Sequence, residues 1–481
     1  GGGYNHWATA GFFGRLNYNY KEKYLLEVNG RYDGTSRFMK DQRWNFFPSF
    51  SLGWNVAREN FWKPLESVVN QFKLRGSWGE LGNQNTSNLY PFYEILPVKS
   101  NSGNWLVNGG KTNTADIPSL VSTLLTWERV RSFNVGFDFG AFSNRLTGSF
   151  DYFVRKTVDM VGPAPQLPLV LGIAPAIVNN ADMKSYGFEI ELSWRDRIGE
   201  VDYGVKFNLA DAQQKVVKYP NTTNAFNDWY AGKMSGEIWG YTSLGIAKTD
   251  EEMKEHLASL PNGGQNQLGN KWGAGDIMYA DINGDGKVDG GKGTLADPGD
   301  QRIIGNSTPR YNFGLVLDAS YKGFDVSIFF QGVGKRDYAP IVGTNGAVFW
   351  GAVNNIWQSM AMEEHFDYFR PEGHPMGANL NGYYPRPDFT SNKNHQVQTR
   401  YLQDASYIRL KNLQIGYTLP KQWINKLHIN RCRVYVSGDN LWTGTSLASM
   451  FDPETLAAGD WGSGKTYPLS KVISFGLNVN F

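Results

Sequence analysis

The sequence predicts an all-β protein, and more specifically a transmembrane antiparallel β-barrel with long extracellular loops. Three observations predict it: alternation of apolar and polar residues in many segments, a composition rich in aromatic residues and glycine, and connections that alternate between short and long. In the last segment, apolar residues occupy every odd position from Ile473 to Phe481. Because few segments remain to form a second layer over such faces, lipid is the expected covering layer.

The composition favours strands and turns over helices. Aromatic residues make up 15% of the 481-residue chain, with 25 Tyr, 29 Phe and 16 Trp, and there are 55 Gly. The net charge is only +2, with both signs interspersed, which argues against nucleic acid as a partner. Cys432 is the single cysteine, so internal disulfides and cysteine-based zinc sites are excluded, and we expect a buried thiol inside a strand.

Alternation with a period of two predicts about thirteen strands. In one of them, Phe150 and Tyr152 alternate with Ser149 and Asp151, which indicates a lipid-facing side and a polar side that faces the lumen. The predicted strands cover residues 12–20, 23–33, 45–57, 71–79, 129–139, 145–157, 185–195, 200–214, 309–321, 323–333, 405–418, 432–441 and 469–481.

The connections between these strands alternate in length. The short ones cover residues 21–22, 142–144, 197–199 and 322–323, with 58–70 and 420–431 somewhat longer. The long ones cover about 80–128, 158–184, 215–308, 334–404 and 442–468. This arrangement is typical of outer-membrane barrels, whose long loops face outside. One helix is predicted in the loops, at 251–260, with Thr249 or Asp250 as N-cap and Pro261 ending it.

The same alternation predicts that the chain starts outside and ends in the periplasm. A closed bacterial barrel usually has an even number of strands and both ends inside, so we expect further strands upstream. Residues 1–481 are therefore interpreted as the C-terminal part of one β-barrel domain, without its first strands. The most apolar stretch, 161–178, contains four prolines and is not a candidate for a membrane helix.

Residues 281–289, within the long 215–308 loop, match the first nine positions of an EF-hand calcium loop. Gly286 permits its sharp turn, but the twelfth position is Lys292 in place of glutamate, so Asp300, or less favourably Asp297, is the candidate to complete the shell. The alternative is a solvated cluster of Asn-Gly and Asp-Gly turns. The candidate ligands of a structural calcium ion are Asp281, Asn283, Asp285, the Lys287 carbonyl, Asp289 and Asp300.

No catalytic constellation is found in the sequence, and we expect no enzyme activity. Residues 459–466 satisfy the phosphate-binding loop pattern, but Pro468 and a strand follow where the mechanism needs a helix N-terminus.

The histidines show no zinc spacing and are expected at the surface; they are His6, His256, His365, His374, His395 and His428.

Aromatic residues in the long loops are candidates for stacking on sugar rings or holding peptide side chains. Contacts that hold the loops together are the favoured interpretation, and no substrate-binding residue is assigned. These aromatic residues are Trp229, Tyr230, Trp239, Trp272, Trp350 and Trp357.

The whole chain resembles the SusC/RagA-type TonB-dependent outer-membrane transporters of Bacteroidota-like bacteria. Characteristic stretches include KLRGSWGELGN at 73–83, SYGFEIEL at 185–192 and GDIMYADINGDGKVD at 275–289. Other stretches that carry the resemblance are 14–20, 24–37, 47–54, 127–128, 300–305, 321–332, 407–420 and 467–481.

This resemblance implies a twenty-two-stranded, multi-pass barrel in the bacterial outer membrane, plugged by an N-terminal domain that is absent from this sequence. It implies active import of oligosaccharides or oligopeptides, with energy supplied through TonB by way of the missing N-terminal part. It also implies a SusD-like surface lipoprotein as a lid. Glycan and peptide cargo stay open, with a slight preference for glycans. The alternative function is a passive or structural barrel, or a surface adhesin without transport coupling.

Overall fold

The computed structural model describes residues 4–86, 88–163, 168, 170, 172–173, 175–340, 347–353, 361–389, 391–425, 428–456 and 466–481. Within them, thirteen strands form one antiparallel sheet whose spatial order follows the chain. They are β1 Thr9–Tyr20, β2 Tyr24–Thr35, β3 Trp44–Asn55, β4 Val69–Asn83, β9 Glu128–Ala141, β10 Leu146–Gly162, β11 Val178–Ile198, β12 Val201–Lys218, β17 Arg310–Tyr321, β18 Phe324–Lys335, β21 Tyr407–Thr418, β22 Arg431–Thr445 and β23 Val472–Asn480. All thirteen predicted strands are confirmed.

Shorter elements lie in the connections. The strands are β5 Val98–Lys99, β6 Leu106–Val107, β7 Gly110–Lys111, β8 Thr114–Ala115, β13 Glu237–Gly240, β14 Ser243–Ile246, β15 Ile277–Tyr279, β16 Arg302–Asn306, β19 Asp337–Tyr338 and β20 Gln403–Asp404. The helices are α1 Asp250–Ala258, α2 Ala347–Trp350 and α3 Lys421–Ile424, with 3-10 turns at Lys40–Gln42, Val56–Arg58, Asn60–Leu65, Gly351–Val353, Glu363–Phe366 and Thr399–Tyr401. Helix α1 confirms the predicted helix, because the Thr249 hydroxyl accepts a hydrogen bond from the Glu252 N–H at 3.1 Å as its N-cap.

The short turns use left-handed backbone conformations. Lys21 and Glu22 have φ values of 53° and 55°, and Lys322 and Gly323 have φ values of 45° and 92°. Two consecutive residues with positive φ are the signature of the type I′ turn, whose twist matches that of the strands it joins. These turns therefore fix the register of the β1–β2 and β17–β18 hairpins.

The chain forms two compact units. Unit 1 comprises Gly1–Ile190, Ala212–Asn224 and Asp228–Met234, and unit 2 comprises Glu191–Asp211, Ala225–Asn227 and Ser235–Phe481. Unit 1 contains a small buried cluster of Phe38, Phe47, Leu125 and Trp127. Unit 2 contains the buried thiol of Cys432, as predicted. In the described ranges, no helix combines the length and the apolar character needed to cross a membrane.

The strands of unit 1 have one apolar and one polar face, as the alternation predicts. On the apolar face, Phe137 of β9 lies opposite Leu74 of β4 and Phe150 of β10, and the Phe137 and Phe150 rings stack with centroids 5.7 Å apart. The residues one position further along each strand point to the opposite face, and there the side chains are ionic. Arg75 of β4 donates to Asp138 of β9 at 2.8 Å and to Asp151 of β10 at 2.9 Å. The predicted polar side of β10 therefore includes Asp151.

The ion pair across β9 requires a glycine. Gly136 lies between Arg75 and Asp151 in the register, and a Cβ atom at this position would lie 2.4 Å from the Asp151 Oδ1 and 2.4 Å from the Phe150 carbonyl oxygen. No side chain fits there without displacing the backbone of β10. The glycine thus leaves the space through which Arg75 reaches two strands away.

We expect Gly136→Ala to destabilise the sheet by about 1–3 kcal/mol, because the added methyl group forces a shift of the β10 backbone. Gly76→Ala is the matched control, since a Cβ at Gly76 meets no atom within 4 Å. The control should change stability by less than about 1 kcal/mol. Urea unfolding of the full-length protein in detergent measures both, and equal midpoints for the two variants would contradict the role given to Gly136.

Candidate functional site

The long connections of unit 2 share one buried cluster, which we call the loop core. It is defined by Tyr241, Leu260, Ile277, Tyr279, Val288, Phe349, Trp350, Tyr384, Tyr401, Ala405, Leu447, Phe451 and Leu456. These residues come from three connections, β12 to β17, β18 to β21 and β22 to β23. Phe349 stacks on Phe451 with ring centroids 6.3 Å apart, and the Tyr241 N–H donates to the Val397 carbonyl at 2.8 Å. The three connections are therefore parts of one folded body.

A buried ionic group, the Asp276 cluster, joins two of these connections. It consists of Asp276, Arg386, Lys393 and Asn394. Arg386 donates to both carboxylate oxygens of Asp276, at 2.8 and 2.6 Å, which is the bidentate geometry that guanidinium and carboxylate favour. Lys393 Nζ donates to Asp276 Oδ2 at 2.8 Å, and Asn394 Nδ2 donates to Oδ1 at 2.9 Å.

The surroundings of the Asp276 cluster satisfy its remaining polar atoms. The side chains of Asp276 and Lys393 are both 0% exposed. The ammonium group of Lys393 also donates to the carbonyls of Asn270 and Lys271 and lies 4.9 Å from the centre of the Trp272 ring. Removing one partner from such a buried group costs about 3–5 kcal/mol, because the other charge is left without compensation. The cluster therefore holds residues 270–276 against residues 386–394.

Neutral hydrogen bonds extend the cluster into the loop core. The Tyr279 hydroxyl donates to the Lys393 carbonyl at 2.7 Å, and the Gln398 amide donates to the same hydroxyl oxygen at 3.2 Å. The Gln265 amide, itself 0% exposed, donates to the Ile277 carbonyl and accepts from the Tyr279 N–H. Burial raises the pKa of Tyr279 well above its usual value, so this hydroxyl stays protonated.

The predicted calcium loop has its expected backbone path. Gly284 and Gly286 have φ values of 75° and 80°, and their N–H groups donate to the Asp281 carboxylate at 2.7 and 2.8 Å. Asp300 returns to the loop, accepting from the Ile282 N–H at 2.7 Å and from the Asp289 N–H at 2.7 Å. Asp300 rather than Asp297 thus closes the loop.

The charges of this loop are partly compensated by a lysine. Lys287 Nζ lies 2.5 Å from Asp289 Oδ2, and this hydrogen bond lowers the pKa of Asp289. Burial raises the pKa of Asp300. Asp285 Oδ1 accepts from the Lys287 N–H, and Asn283 Oδ1 accepts from the Asp285 N–H. In the part of the chain that the structure describes, no group of three or more His, Cys, Asp or Glu side chains is arranged to hold a metal ion. The oxygen donors suit a hard cation, and the calcium site stays a prediction.

If Asp281 and Asp285 bind calcium, replacing both with Asn should make residues 281–300 more sensitive to protease in the presence of the ion. Without these two ligands, only the hydrogen bonds of the turns would hold the backbone of the loop in place. Glu251→Gln is the control, since this acidic residue lies on the exposed side of helix α1, outside residues 281–300. Equal cleavage of the wild-type protein with and without chelator would rule the ion out.

His395 corrects the expectation that all six histidines lie at the surface. Its side chain is 2% exposed, and its ring lies 4.5 Å from that of Trp350. Burial lowers its pKa to about 4, so the imidazole is neutral at neutral pH. The prediction was wrong because a neutral imidazole packs against an aromatic ring, and histidine is intermediate between polar and apolar residues in how often it is buried.

Since His395 has a pKa of about 4 when folded and about 6.5 when unfolded, the unfolded state takes up a proton first as pH falls. The loop core should therefore lose stability between pH 6.5 and pH 4, by about 3 kcal/mol from this residue alone. His395→Gln should lack that component of the pH dependence, while the control His374→Gln should retain it. Urea unfolding followed by tryptophan fluorescence measures the difference, and parallel pH profiles for the two variants would contradict the assignment.

The loop aromatics mostly contact other parts of the loops. Trp239 stacks on Phe226 with centroids 4.6 Å apart, the Trp272 indole donates to the Gly269 carbonyl at 3.1 Å, and Trp350 is 3% exposed. Tyr230 is buried, whereas Trp229 is 39% exposed beside Lys233. Trp357 and the phosphate-loop pattern at 459–465 lie outside the described residues.

Sequence analysis does not identify the Asp276 cluster. Asp276 and Lys393 are 117 residues apart, and no spacing rule connects them. The available signal is the polar run Lys393-Asn394-His395 inside a loop that is otherwise rich in proline and aromatic residues. Such a run indicates buried polar contacts only if the carboxylate that pairs with it is already known, and the sequence does not identify that carboxylate.

The family model described as "TonB dependent receptor-like, beta-barrel" matches residues 3–441. The chain belongs to this family. The chain is located in the bacterial outer membrane, as predicted. The matched relatives are receptors, which agrees with the prediction that the chain is not an enzyme. The short-loop and long-loop arrangement described above is the arrangement of that family of barrels.

Individual relatives support the assignment. TonB-dependent receptor P3 of Formosa agariphila is 30% identical over 499 residues, covering 98% of this chain and 45% of the relative. TonB-dependent receptor SusC of Bacteroides thetaiotaomicron is 24% identical, covering 98% of this chain and 43% of SusC. A solved structure of the RagAB peptide transporter has a TM-score of 0.74 at 23% identity, covering 99% of this chain and 48% of that one. The chain thus spans slightly less than half the length of these relatives.

Proposed function

We propose that the chain is part of an active importer of oligosaccharides or oligopeptides in the outer membrane. The importer is energised through TonB and works with a SusD-like surface lipoprotein as its lid. The observation that carries the proposal is the family match over residues 3–441, which includes twelve of the thirteen strands in full or in most of their length. No bond of the cargo is made or broken in such a process.

The loop core supports binding at the long-loop end of the strands. Here, three connections are ordered together by the loop core and the Asp276 cluster. A rigid rim of this kind holds binding groups in place before the cargo arrives, which reduces the entropy lost on binding. In the proposed importer, the loop core supports the cargo site.

The polar faces of the strands support passage of a hydrophilic cargo. In unit 1, Arg75, Asp138 and Asp151 form a charged group on the face opposite the stacked phenylalanines, and Arg131 donates to Glu80 at 2.6 Å on neighbouring strands. Paired charges keep this face hydrated without leaving a strong field of one sign. A face of this kind interacts weakly with many polar cargoes, which suits transport.

The choice between glycan and peptide stays open at this level. The name of the RagAB peptide transporter specifies peptides, whereas the name of the SusC receptor specifies no cargo. We retain calcium as a proposed structural ion of the 281–300 loop, on the oxygen donors of Asp281, Asn283, Asp285 and Asp300. A passive barrel or a surface adhesin is the alternative.

The test is uptake by the bacterium that encodes the protein. The gene is deleted and then restored, and uptake of radiolabelled maltoheptaose and of radiolabelled tryptic casein peptides is measured, with and without an intact TonB. The proposal predicts that uptake of at least one probe falls to background on deletion, returns on restoration and requires TonB. Uptake that persists without TonB would indicate a passive barrel, and unchanged uptake after deletion would favour an adhesin.

A further inference from the structure

The connection between β3 and β4, in unit 1, carries large apolar side chains that the described residues leave uncovered. It contains the 3-10 turns Val56–Arg58 and Asn60–Leu65. In and just after the second turn, Phe61, Leu65 and Val68 are 62%, 50% and 47% exposed. A single exposed apolar residue is ordinary at a protein surface, but three of them within one short connection indicate an interaction site.

This connection folds back onto the strands that it joins. The Trp62 ring stacks on the Phe72 ring of β4, with centroids 5.3 Å apart and an angle of 2° between the planes. Phe61 meets the Trp54 ring of β3 edge to face, with centroids 6.4 Å apart. The Trp62 indole donates to the Val69 carbonyl at 2.9 Å. These contacts hold the second turn against the sheet.

Both strand residues in these contacts lie on the apolar face of the sheet. In the register, Trp54 lies opposite Leu74, and Leu74 lies opposite Phe137. The Phe72 ring packs 5.9 Å from that of Phe137. Residues directly opposite each other in an antiparallel pair share a face, and this face is opposite to the one that carries Arg75. In an outer-membrane barrel, the apolar face is the one in contact with lipid.

The length of β3 places Trp54 at one edge of the hydrocarbon layer. The apolar face of this strand begins at Trp44 and ends at Trp54, ten positions later. Ten residues of strand extend about 33 Å, and a tilt of about 40° reduces this to a height of about 25 Å. The apolar band of outer-membrane barrels is about 25 Å tall and ends in aromatic residues on both sides. The second turn therefore contacts the strands at the bilayer boundary.

The polar atoms around Trp54 are arranged as they are at a membrane surface. The Glu59 carboxylate accepts hydrogen bonds from the Tyr24 hydroxyl at 2.7 Å, from the Trp54 indole at 3.3 Å and from Lys23 Nζ at 2.9 Å. Tyr24 and Trp54 lie opposite each other on the apolar face, so their polar atoms meet at one level. Tyrosine and tryptophan favour the level at which an apolar layer meets water.

We propose that residues 60–68 form a membrane anchor that lies in the headgroup region of the periplasmic leaflet, with Phe61 and Leu65 inserted among the first carbons of the acyl chains. The exposed patch continues the lipid-facing surface of β3 and β4, and this continuity identifies phospholipid as its partner. Lys63 is exposed between the two apolar side chains, and its long stem allows the ammonium group to reach the lipid phosphates. The anchor fixes the height of these strands in the bilayer.

The test measures the depth of spin labels by electron paramagnetic resonance. The full-length protein, with Cys432→Ser and any other cysteine replaced by serine, is reconstituted in nanodiscs of phosphatidylethanolamine and phosphatidylglycerol. A nitroxide is attached through Phe61→Cys or Leu65→Cys, and through Ser143→Cys as the matched control. Ser143 is an exposed polar residue in the short β9–β10 turn, on the same side of the sheet. Collisions with oxygen, which enters lipid, are compared with collisions with a water-soluble nickel chelate.

The proposal predicts that oxygen collides more often than the nickel chelate with the labels at residues 61 and 65, at a depth of about 5–10 Å below the phosphates. At residue 143 the nickel chelate should collide more often. Equal access of the nickel chelate to residues 61, 65 and 143 would overturn the proposal, because the turn would then lie in water. Few collisions with either reagent at residues 61 and 65 would also overturn it, since a protein surface would then cover the patch.

Discussion

The arrangement of the loops depends on the contacts that the Asp276 carboxylate makes. It accepts hydrogen bonds from Arg386, Lys393 and Asn394 and from the Gly273 N–H, all within 2.6–2.9 Å. A buried ionic group of this kind gives little net stability compared with apolar side chains of the same size, but it tolerates very few alternative arrangements. Its contribution is therefore to the choice of one loop structure, while the aromatic residues of the loop core supply the apolar burial.

This division matters for the surface of unit 2, because an apolar cavity lies beside the Asp276 cluster. Arg386 lines that cavity and bonds to Asp276, and His395, which also lines it, follows Lys393 and Asn394 in the chain. The ionic contact therefore fixes two of the segments around the cavity. Long loops without such a centre would have to be ordered by the cargo, at a cost in affinity.

The strands were predictable from the sequence and the loop structure was not. Each of the thirteen strands of the sheet is nine or more residues long, which is long enough for alternation to show, and the type I′ turns at Lys21-Glu22 and Lys322-Gly323 appear as short polar interruptions. Elements such as β5 and β19, with two residues each, are too short to show a period. They form by pairing within their own connections, β5 with β8 and β19 with β20, and no local pattern predicts these pairings.

The residues of the candidate site likewise divide into those with a local sequence signal and those without one. Helix α1 depends on a local signal, its Thr N-cap, and was predicted. The 281–289 loop also carries a local signal, its glycines at fixed positions, but its calcium site stays a prediction. Asp276 and Lys393 meet only because the chain folds back over 117 residues. His395 was expected at the surface because the histidines show no zinc spacing, whereas its ring is buried against that of Trp350.

Hydrogen–deuterium exchange of the full-length protein carrying Asp276→Asn measures whether one ionic contact orders the connections as a single body. If it does, protection falls together at residues 243–280, 384–389, 391–405 and 447–456, while the strands keep theirs. A loss confined to residues 273–280 would contradict it, since the connections would then be ordered independently of the Asp276 cluster.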